Sequence, residues 1–444
     1  MSFRRRLARL ALAGTLAGAF TLGGCVNATA PSTAPLPTLI GGAPADEAGR
    51  VVVIAVANQA GELPLSSGTT PGLYVKKPGY VASLRAEALM EQVARAHGLR
   101  PLDAWPIRSL GLHCATFLIP EGAARSEVLA ALARDPRVVL TQPLNEFGTL
   151  GEPAAPPTKP TPAIDSKGPP DLPYNDPYLP LQRGLLGLGV PQAHRCARGD
   201  GVRVAVIDTG MDIGHPDLAG VPTATANFVD HDAARFQRDH HGTEVAGLIA
   251  AQPGNATGIV GIAPGARLIA LKACWERSDG SASCNSFTLS QALAAAIDRG
   301  AQVINLSLGG PADELLTRLL RVALARGMVV VGAVPPGGAR DGFPLGVPGV
   351  IAVQDAAAPA GGMLGAPARE VLTLMPGGRY DFASGTSMAA AHVTGLAALL
   401  LQHHPRLDGP RIEKLLREQG GIQPAAPLNA CRVLEAVAPR CRCS

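Results

Sequence analysis

The sequence predicts an α/β fold: a three-layer domain built on a mostly parallel sheet, preceded by a small α+β unit. From about Asn175 onward, short β-branched apolar runs alternate with longer helical patterns, as right-handed βαβ crossovers require. Those runs are too continuously apolar to leave a solvated face, so helices must cover the sheet on both sides. A shorter alternation of the same kind lies between Arg50 and Phe147, set apart by a proline-dense stretch over residues 151–173.

Taken in order, the chain opens with Arg4, Arg5 and Arg6 and an apolar run over residues 10–22 that reaches Leu22-Gly23-Gly24-Cys25. A charged start followed by a short apolar core marks an export signal over residues 1–25, too short for a stable membrane helix. Residues 26–49 form a flexible tether. Residues 50–148 form the small unit, with strands at 51–56, 114–119 and 138–140 and helices at 86–97 and 125–134. Residues 149–174 form an extended, solvated linker, open to a protease. In the body, residues 175–444, strands are expected at 202–207, 267–271, 303–308, 328–331 and 350–353. Helices are expected from His241 and at 290–299, 313–326, 388–401, 410–418 and 430–438. Residues 359–367, rich in Ala, Gly and Pro, carry little of either pattern.

With 444 residues and 47% apolar content the chain can bury more than one core. A formal charge of +4, with no basic cluster interleaved with aromatics, argues against nucleic acid as a partner.

Three separated segments hold side chains suited to one reaction: residues 204–210, ending Ile207-Asp208-Thr209-Gly210; His241-Gly242-Thr243-Glu244-Val245-Ala246-Gly247; and Ser384-Gly385-Thr386-Ser387-Met388-Ala389. A serine hydroxyl is a poor nucleophile near neutral pH and needs an imidazole to take its proton, with a carboxylate to orient the ring. Asp208 ends a buried strand, at the edge where open α/β sheets build sites. His241 starts an apolar helix, although the neighbouring His240 leaves two imidazoles open as the base. Ser387 starts another apolar helix, where free N–H groups and the helix dipole would face a developing oxyanion. Taken singly, Asp208 reads as a turn acid and Ser384 or Thr386 as a helix cap.

The order Asp, His, Ser with these flanking words resembles the subtilisin-like serine peptidases, or subtilases. The likeness runs from about Asn175-Asp176-Pro177-Tyr178 to Leu401. It implies a serine endopeptidase acting on protein or peptide substrates, with Ser387 as nucleophile, His241, the histidine directly before Gly-Thr, as general base, Asp208 as its orienter, and no cofactor for the chemistry. The word Ile304-Asn305-Leu306-Ser307-Leu308-Gly309-Gly310 matches the family segment that pairs with substrate as an added strand, so Ser307, Leu308, Gly309 and Gly310 are implied as substrate-binding. Family members usually carry an oxyanion-hole asparagine after the strand at 328–331. Here Pro336 takes that place and the backbone N–H of Ser387 is left as donor, which implies a slowed enzyme; the rival reading is a catalytically weak protein that grips extended peptides. Asn305 more readily anchors backbone than substitutes for the missing donor.

The resemblance also makes residues 50–148 a ferredoxin-like prodomain acting as intramolecular inhibitor, with self-processing between Phe147 and Asn175. Leu22-Gly23-Gly24-Cys25 resembles a bacterial lipoprotein cleavage word, implying lipidation of Cys25 and a membrane anchor in the cell envelope; without it the protein would be secreted. Asp217 matches a position that often ligates structural calcium, and Asn255 lies in the loop that usually supplies further oxygens. That loop holds no carboxylate, and calcium needs about six to eight oxygens, so the residues leave open whether structural calcium binds or Asp217 is a turn acid. Export permits disulfides: Cys274 and Cys284 flank a polar segment and can close it, Cys114 is expected buried or unpaired, and the pairing among Cys196, Cys431, Cys441 and Cys443 stays open.

Overall fold

A computed structural model describes residues 45–59, 80–152, 173–230, 232–358, 361–419, 428–438 and 440–442. The export signal, Cys25, most of the tether and most of the Pro-rich linker lie outside the described residues. Among the described residues no helix is long and apolar enough to cross a membrane.

The N-terminal unit contains β1 (Val51–Ala57), β2 (Arg100–Ile107), β3 (Leu112–Leu118) and β4 (Leu140–Pro143), with helices Leu84–Ala96 and Arg125–Leu132 between them. Its sheet is antiparallel in the order β2-β3-β1-β4, the arrangement of a ferredoxin-like unit. Strand β2, absent from the sequence expectation, contains Pro101 and Pro106, and it forms the edge of this sheet, where a missing N–H is tolerated. A short strand β5 (Glu146–Thr149) follows and leaves this unit entirely.

The body holds β6 (Arg203–Asp208), β7 (Thr223–Asn227), β8 (Arg267–Lys272), β9 (Cys274–Glu276), β10 (Ala282–Asn285), β11 (Val303–Leu306), β12 (Leu308–Gly309), β13 (Val329–Ala333), β14 (Ile351–Asp355), β15 (Leu364–Ala366), β16 (Val371–Met375) and β17 (Arg379–Ala383). Seven of these form one parallel sheet in the order β15-β14-β13-β11-β6-β8-β7. Strand β15 falls in the stretch the sequence left featureless, and as an edge strand of three residues it needs little pattern.

Alternate residues of β6 divide the core. Val204 and Val206 pack with Val245, Leu248 and Met388 of the helices His240–Ala250 and Thr386–His403. Ala205 and Ile207 pack on the other face with Leu293 and Leu316 of the helices Ser286–Asp298 and Glu314–Ala325. The same cluster takes in Val51, Val53, Trp105 and Cys114, so the N-terminal sheet lies over this second helix layer.

A polar cluster joins the two units. Asp313, 3% exposed, caps the helix Glu314–Ala325 by accepting the Leu316 N–H at 2.9 Å, and its other oxygen accepts from Gln142 Nε2 (2.6 Å), Asn145 Nδ2 (2.9 Å) and Ser286 Oγ (2.6 Å). Gln142 Oε1 accepts the Leu315 N–H, and the Asn145 carbonyl accepts that of Ser286. The N-terminal unit thus satisfies the first turns of two helices of the body.

Cys274 is bonded to Cys284, as expected, and Cys196 to Cys441; Cys431 is also disulfide-bonded. Cys114 is free and buried, and burial pushes its thiol well above the usual range, which makes it inert.

Candidate active site

Three elements deliver the sequence-predicted acid, base and nucleophile to one crevice. Asp208 ends β6, His241 is the second residue of its helix, and Ser387 the second of its own. All are buried, at 1%, 7% and 0% exposed. His241 Nδ1 meets Asp208 Oδ1 at 2.7 Å, and that oxygen also accepts the Thr209 N–H at 2.7 Å. Gly242 lets the helix approach, since a Cβ there would run into the Gly210 carbonyl. Of the two histidines the sequence offered, only His241 reaches Asp208. His240 turns to Glu276, 3.0 Å from its Nδ1.

Burial disfavours a charged His241 ring, but the Asp208 carboxylate and its hydrogen bond, with Glu244 and Glu276 adding, hold its pKa above the ordinary value. Glu244, one turn along the same helix, is pushed up to about 7 by burial. Behind the site Lys272, 2% exposed, bonds to the Asp239 carboxylate and the Thr209 carbonyl.

The crevice is filled by the chain itself. Strand β5 lies between β12 and β10, antiparallel to both, with Gly148 opposite Gly309 and Ser283, and Phe147 opposite Cys284. Beyond β5 the Leu150 N–H donates to the Ser307 carbonyl at 3.0 Å, the Leu150 carbonyl accepts from the Ser387 N–H at 3.4 Å, and the Glu152 N–H donates to the Ser384 carbonyl at 2.8 Å. Gly151 forms an antiparallel bridge with Gly385. It is packed so closely on the imidazole that a Cβ would lie 2.6 Å from His241 Cδ2 and 2.9 Å from Nε2. That Nε2 is buried and has no hydrogen-bond partner among the described residues. Ser387 Oγ donates to the Ser307 carbonyl at 3.1 Å. The linker expected to begin at 149 therefore starts inside the crevice: residues 149–152 belong to the docked segment.

The remaining predicted site residues divide. Leu308, Gly309 and Ser307 make the pairing just described, and Gly310 bridges to Phe343. Phe147, 3% exposed, sits against Gly310 and edge-on to Phe343 with ring centroids 5.6 Å apart. Pro336 is exposed on the loop after β13, followed by Gly337 and Gly338 at φ +85° and +77°. Asn305 is fully buried in a side-chain network, donating to Thr394 Oγ1 and accepting from Ser307 Oγ, both at 2.9 Å, and does not anchor backbone as expected.

The two residues expected for calcium bond to each other and to nearby backbone. Asp217 Oδ1 accepts from Asn255 Nδ2 at 3.0 Å and Oδ2 from the Ile259 N–H at 2.8 Å, while Asn255 Oδ1 accepts the Thr257 N–H at 2.9 Å. A calcium shell needs about six to eight oxygens with lone pairs free. Here each of these oxygens already accepts one N–H donor, and burial pushes the Asp217 pKa up to about 6.

The parallel α/β sheet thus brings a buried carboxylate–imidazole pair and a helix-borne serine to one edge, an arrangement shared by a class of α/β proteins. The family is settled by comparison. Residues 199–421 match the model of the subtilase family, and the chain belongs to that family. It is 40% identical over 212 residues to the thermophilic serine proteinase of Bacillus sp. (strain AK1), covering 45% of this chain and 52% of the relative. To thermitase of Thermoactinomyces vulgaris it is 36% identical over 239 residues, covering 51% and 84%. To subtilisin E of Bacillus subtilis (strain 168) it is 35% identical over 251 residues, covering 52% and 64%. The chain thus spans about half the length of the AK1 proteinase. Among solved structures it resembles fervidolysin from Fervidobacterium pennivorans, described as a keratinolytic enzyme related to subtilisin, at a TM-score of 0.62 and 24% identity, covering 79% of this chain and 59% of that one; this likeness bears on the fold.

Proposed function

We propose that the protein is a serine endopeptidase made as a zymogen, and that its first substrate is its own Leu150–Gly151 bond. The observation that carries this reading is the Leu150 carbonyl on the Ser387 N–H, in a segment hydrogen-bonded along both edges and crossing the orphaned Nε2 of His241. Ser387 Oγ leaves the Ser307 carbonyl and attacks the Leu150 carbonyl carbon while His241 Nε2 takes its proton. The C–N bond then breaks as the imidazolium returns that proton to the Gly151 nitrogen, and water releases the Leu150 carboxylate from the acyl-enzyme in the second half. Asp208 holds the ring by its Nδ1 and stabilises the imidazolium. The Ser387 N–H stabilises the oxyanion, and Pro336 takes the sequence position at which the family carries a second donor.

Residues 45–148 dock the inhibitory segment, and export, with Cys25 as lipid anchor in the cell envelope, places the enzyme where its disulfides form. Other substrates are extended chains with an apolar residue at the cut and an aromatic three residues before it, matching Leu150 and Phe147. The alternative, a peptide-gripping protein with little turnover, is favoured by Pro336 alone. A fluorophosphonate probe separates the two: labelling that disappears in Ser387→Ala supports the peptidase, and an unlabelled processed protein overturns it.

Two further expectations follow from the same geometry. Catalysis needs the neutral imidazole, and a raised His241 pKa keeps the proton to higher pH, so kcat/KM should be full on the alkaline side and fall as pH drops through a midpoint above 6.5. A midpoint at or below 6.5 in the pH profile would contradict this environment for the ring. Gly151→Val should slow self-cutting by about tenfold or more, because its Cβ must displace the imidazole. Gel analysis of the full chain over time reads this, and unchanged cutting would place the scissile bond elsewhere.

A further inference from the structure

The helix that carries His241 begins without a side-chain cap of its own. Asp239 stands at its N-cap position but makes no capping hydrogen bond, because its carboxylate is taken by Lys272. The cap comes instead from across the chain. Glu276, the last residue of β9, accepts the His240 N–H on Oε1, and Oε2 lies 3.0 Å from His240 Nδ1. Burial pushes the Glu276 carboxyl upward, yet His240 and the N–H groups of both His240 and His241 hold it below its ordinary value.

Three successive residues are therefore pinned by charged partners from three strand ends: Asp239 by Lys272 of β8, His240 by Glu276 of β9, and His241 by Asp208 of β6. Glu276 is itself held, since it pairs with Ala282 in the hairpin that the buried Cys274–Cys284 bond closes. The inner strand of that hairpin, β10, is the one that grips β5.

We propose that Glu276 is a positioning residue for the general base: it caps the His241 helix from outside and fixes the imidazole over the peptide to be cut. The proposal rests on the peptidase reading for its catalytic consequence, and on the hydrogen bonds above for its structural one. A carboxylate at a helix N-terminus is favoured by the dipole and satisfies N–H groups left without an intrahelical partner. A displacement of the helix start moves the imidazole relative to Ser387, and small misplacements of a catalytic group are costly.

The charged groups facing His241 are Asp208 on β6, Glu244 on its own helix and Glu276 on β9, with the Asp239–Lys272 pair alongside. Removing the Glu276 charge should lower the His241 pKa. Gln at 276 keeps one acceptor oxygen for the helix N–H groups, loses the charge and puts an NH2 donor in place of the second oxygen; Ala loses the charge and both acceptors.

The test uses the full chain carrying Ser387→Ala, which keeps it in one state, with and without Glu276→Ala or Glu276→Gln. Hydrogen exchange at the His240 and His241 amides should accelerate in E276A and stay protected in E276Q, while the His241 ring titration, followed by NMR, should shift down in both. In the active, self-processed protein, E276A should lower kcat about tenfold with KM changed less than about twofold, and E276Q should restore most of the loss. Unchanged amide exchange together with an unchanged ring titration in E276A would overturn the proposal, even if activity fell. If hydrolysis never depends on Ser387, the peptidase reading falls, and the exchange and titration still decide the role of Glu276. Should E276A fail to fold, E276Q decides the charge effect through the titration.

Discussion

Chain purified with Ser387→Ala is expected to remain whole, while the unaltered chain releases a fragment ending at Leu150 and a body beginning at Gly151. The Ser387 N–H reaches the Leu150 carbonyl at 3.4 Å, and the N–H groups of Leu150 and Glu152 are held on either side of it, so on the proposed reading the cut would fall at one bond. Asp208 and His241 would persist in the variant and Ala would fit the site, so loss of cutting would report loss of the nucleophile and not loss of fold. In subtilisin, the reference case for this family, removing the serine or the histidine costs about 10⁶ in kcat. Intact mass and N-terminal sequencing read the result. A body starting elsewhere would reassign the register, and cutting of isolated S387A protein would remove Ser387 from the mechanism.

Pro336→Asn is expected to raise turnover about 10- to 100-fold with little change in KM. One oxyanion-hole donor is worth about 2.7–4 kcal/mol, and the Ser387 N–H donor sits at a long 3.4 Å from the carbonyl oxygen in the uncut state. The expected gain is set below the full value because Gly337 and Gly338 hold the loop in left-handed turns that an asparagine must share. Initial rates on a peptide with Phe and Leu in the Phe147 and Leu150 positions measure it. Unchanged kcat would mean that another group already meets the oxyanion.

The three side chains proposed for catalysis were legible in the sequence because each sits where an element begins or ends, and such places carry motifs: Asp-Thr-Gly closes β6, and His-Gly-Thr and Gly-Thr-Ser open helices. The docked segment was not legible. Glu146 to Thr149 holds a single large apolar residue, Phe147, and its partners lie more than a hundred residues away, so nothing local marks a strand. Proline density suggested a linker boundary near 149, yet the first proline of that stretch is Pro153 and the crevice holds the chain through Glu152. Strand β2 was hidden by its two prolines, which only an edge position allows. Asp217 carried a calcium expectation from its neighbours in sequence, but the N–H donors of Ile259 and Asn255 that occupy it are set by the fold. Glu276 had no signal at all, since its partner histidine is 36 residues upstream.

The place of β5 in the middle of a sheet, with β12 along one edge and β10 along the other, constrains what can enter after it has gone. A polypeptide must offer both rims of a run as long as residues 146–152 at once, and a run still engaged in its own helix or sheet has neither to give. On the proposed reading, compact proteins would be spared until heat, damage or unfinished folding loosened them, which suits a scavenger of unravelled chains better than a nicker of intact ones.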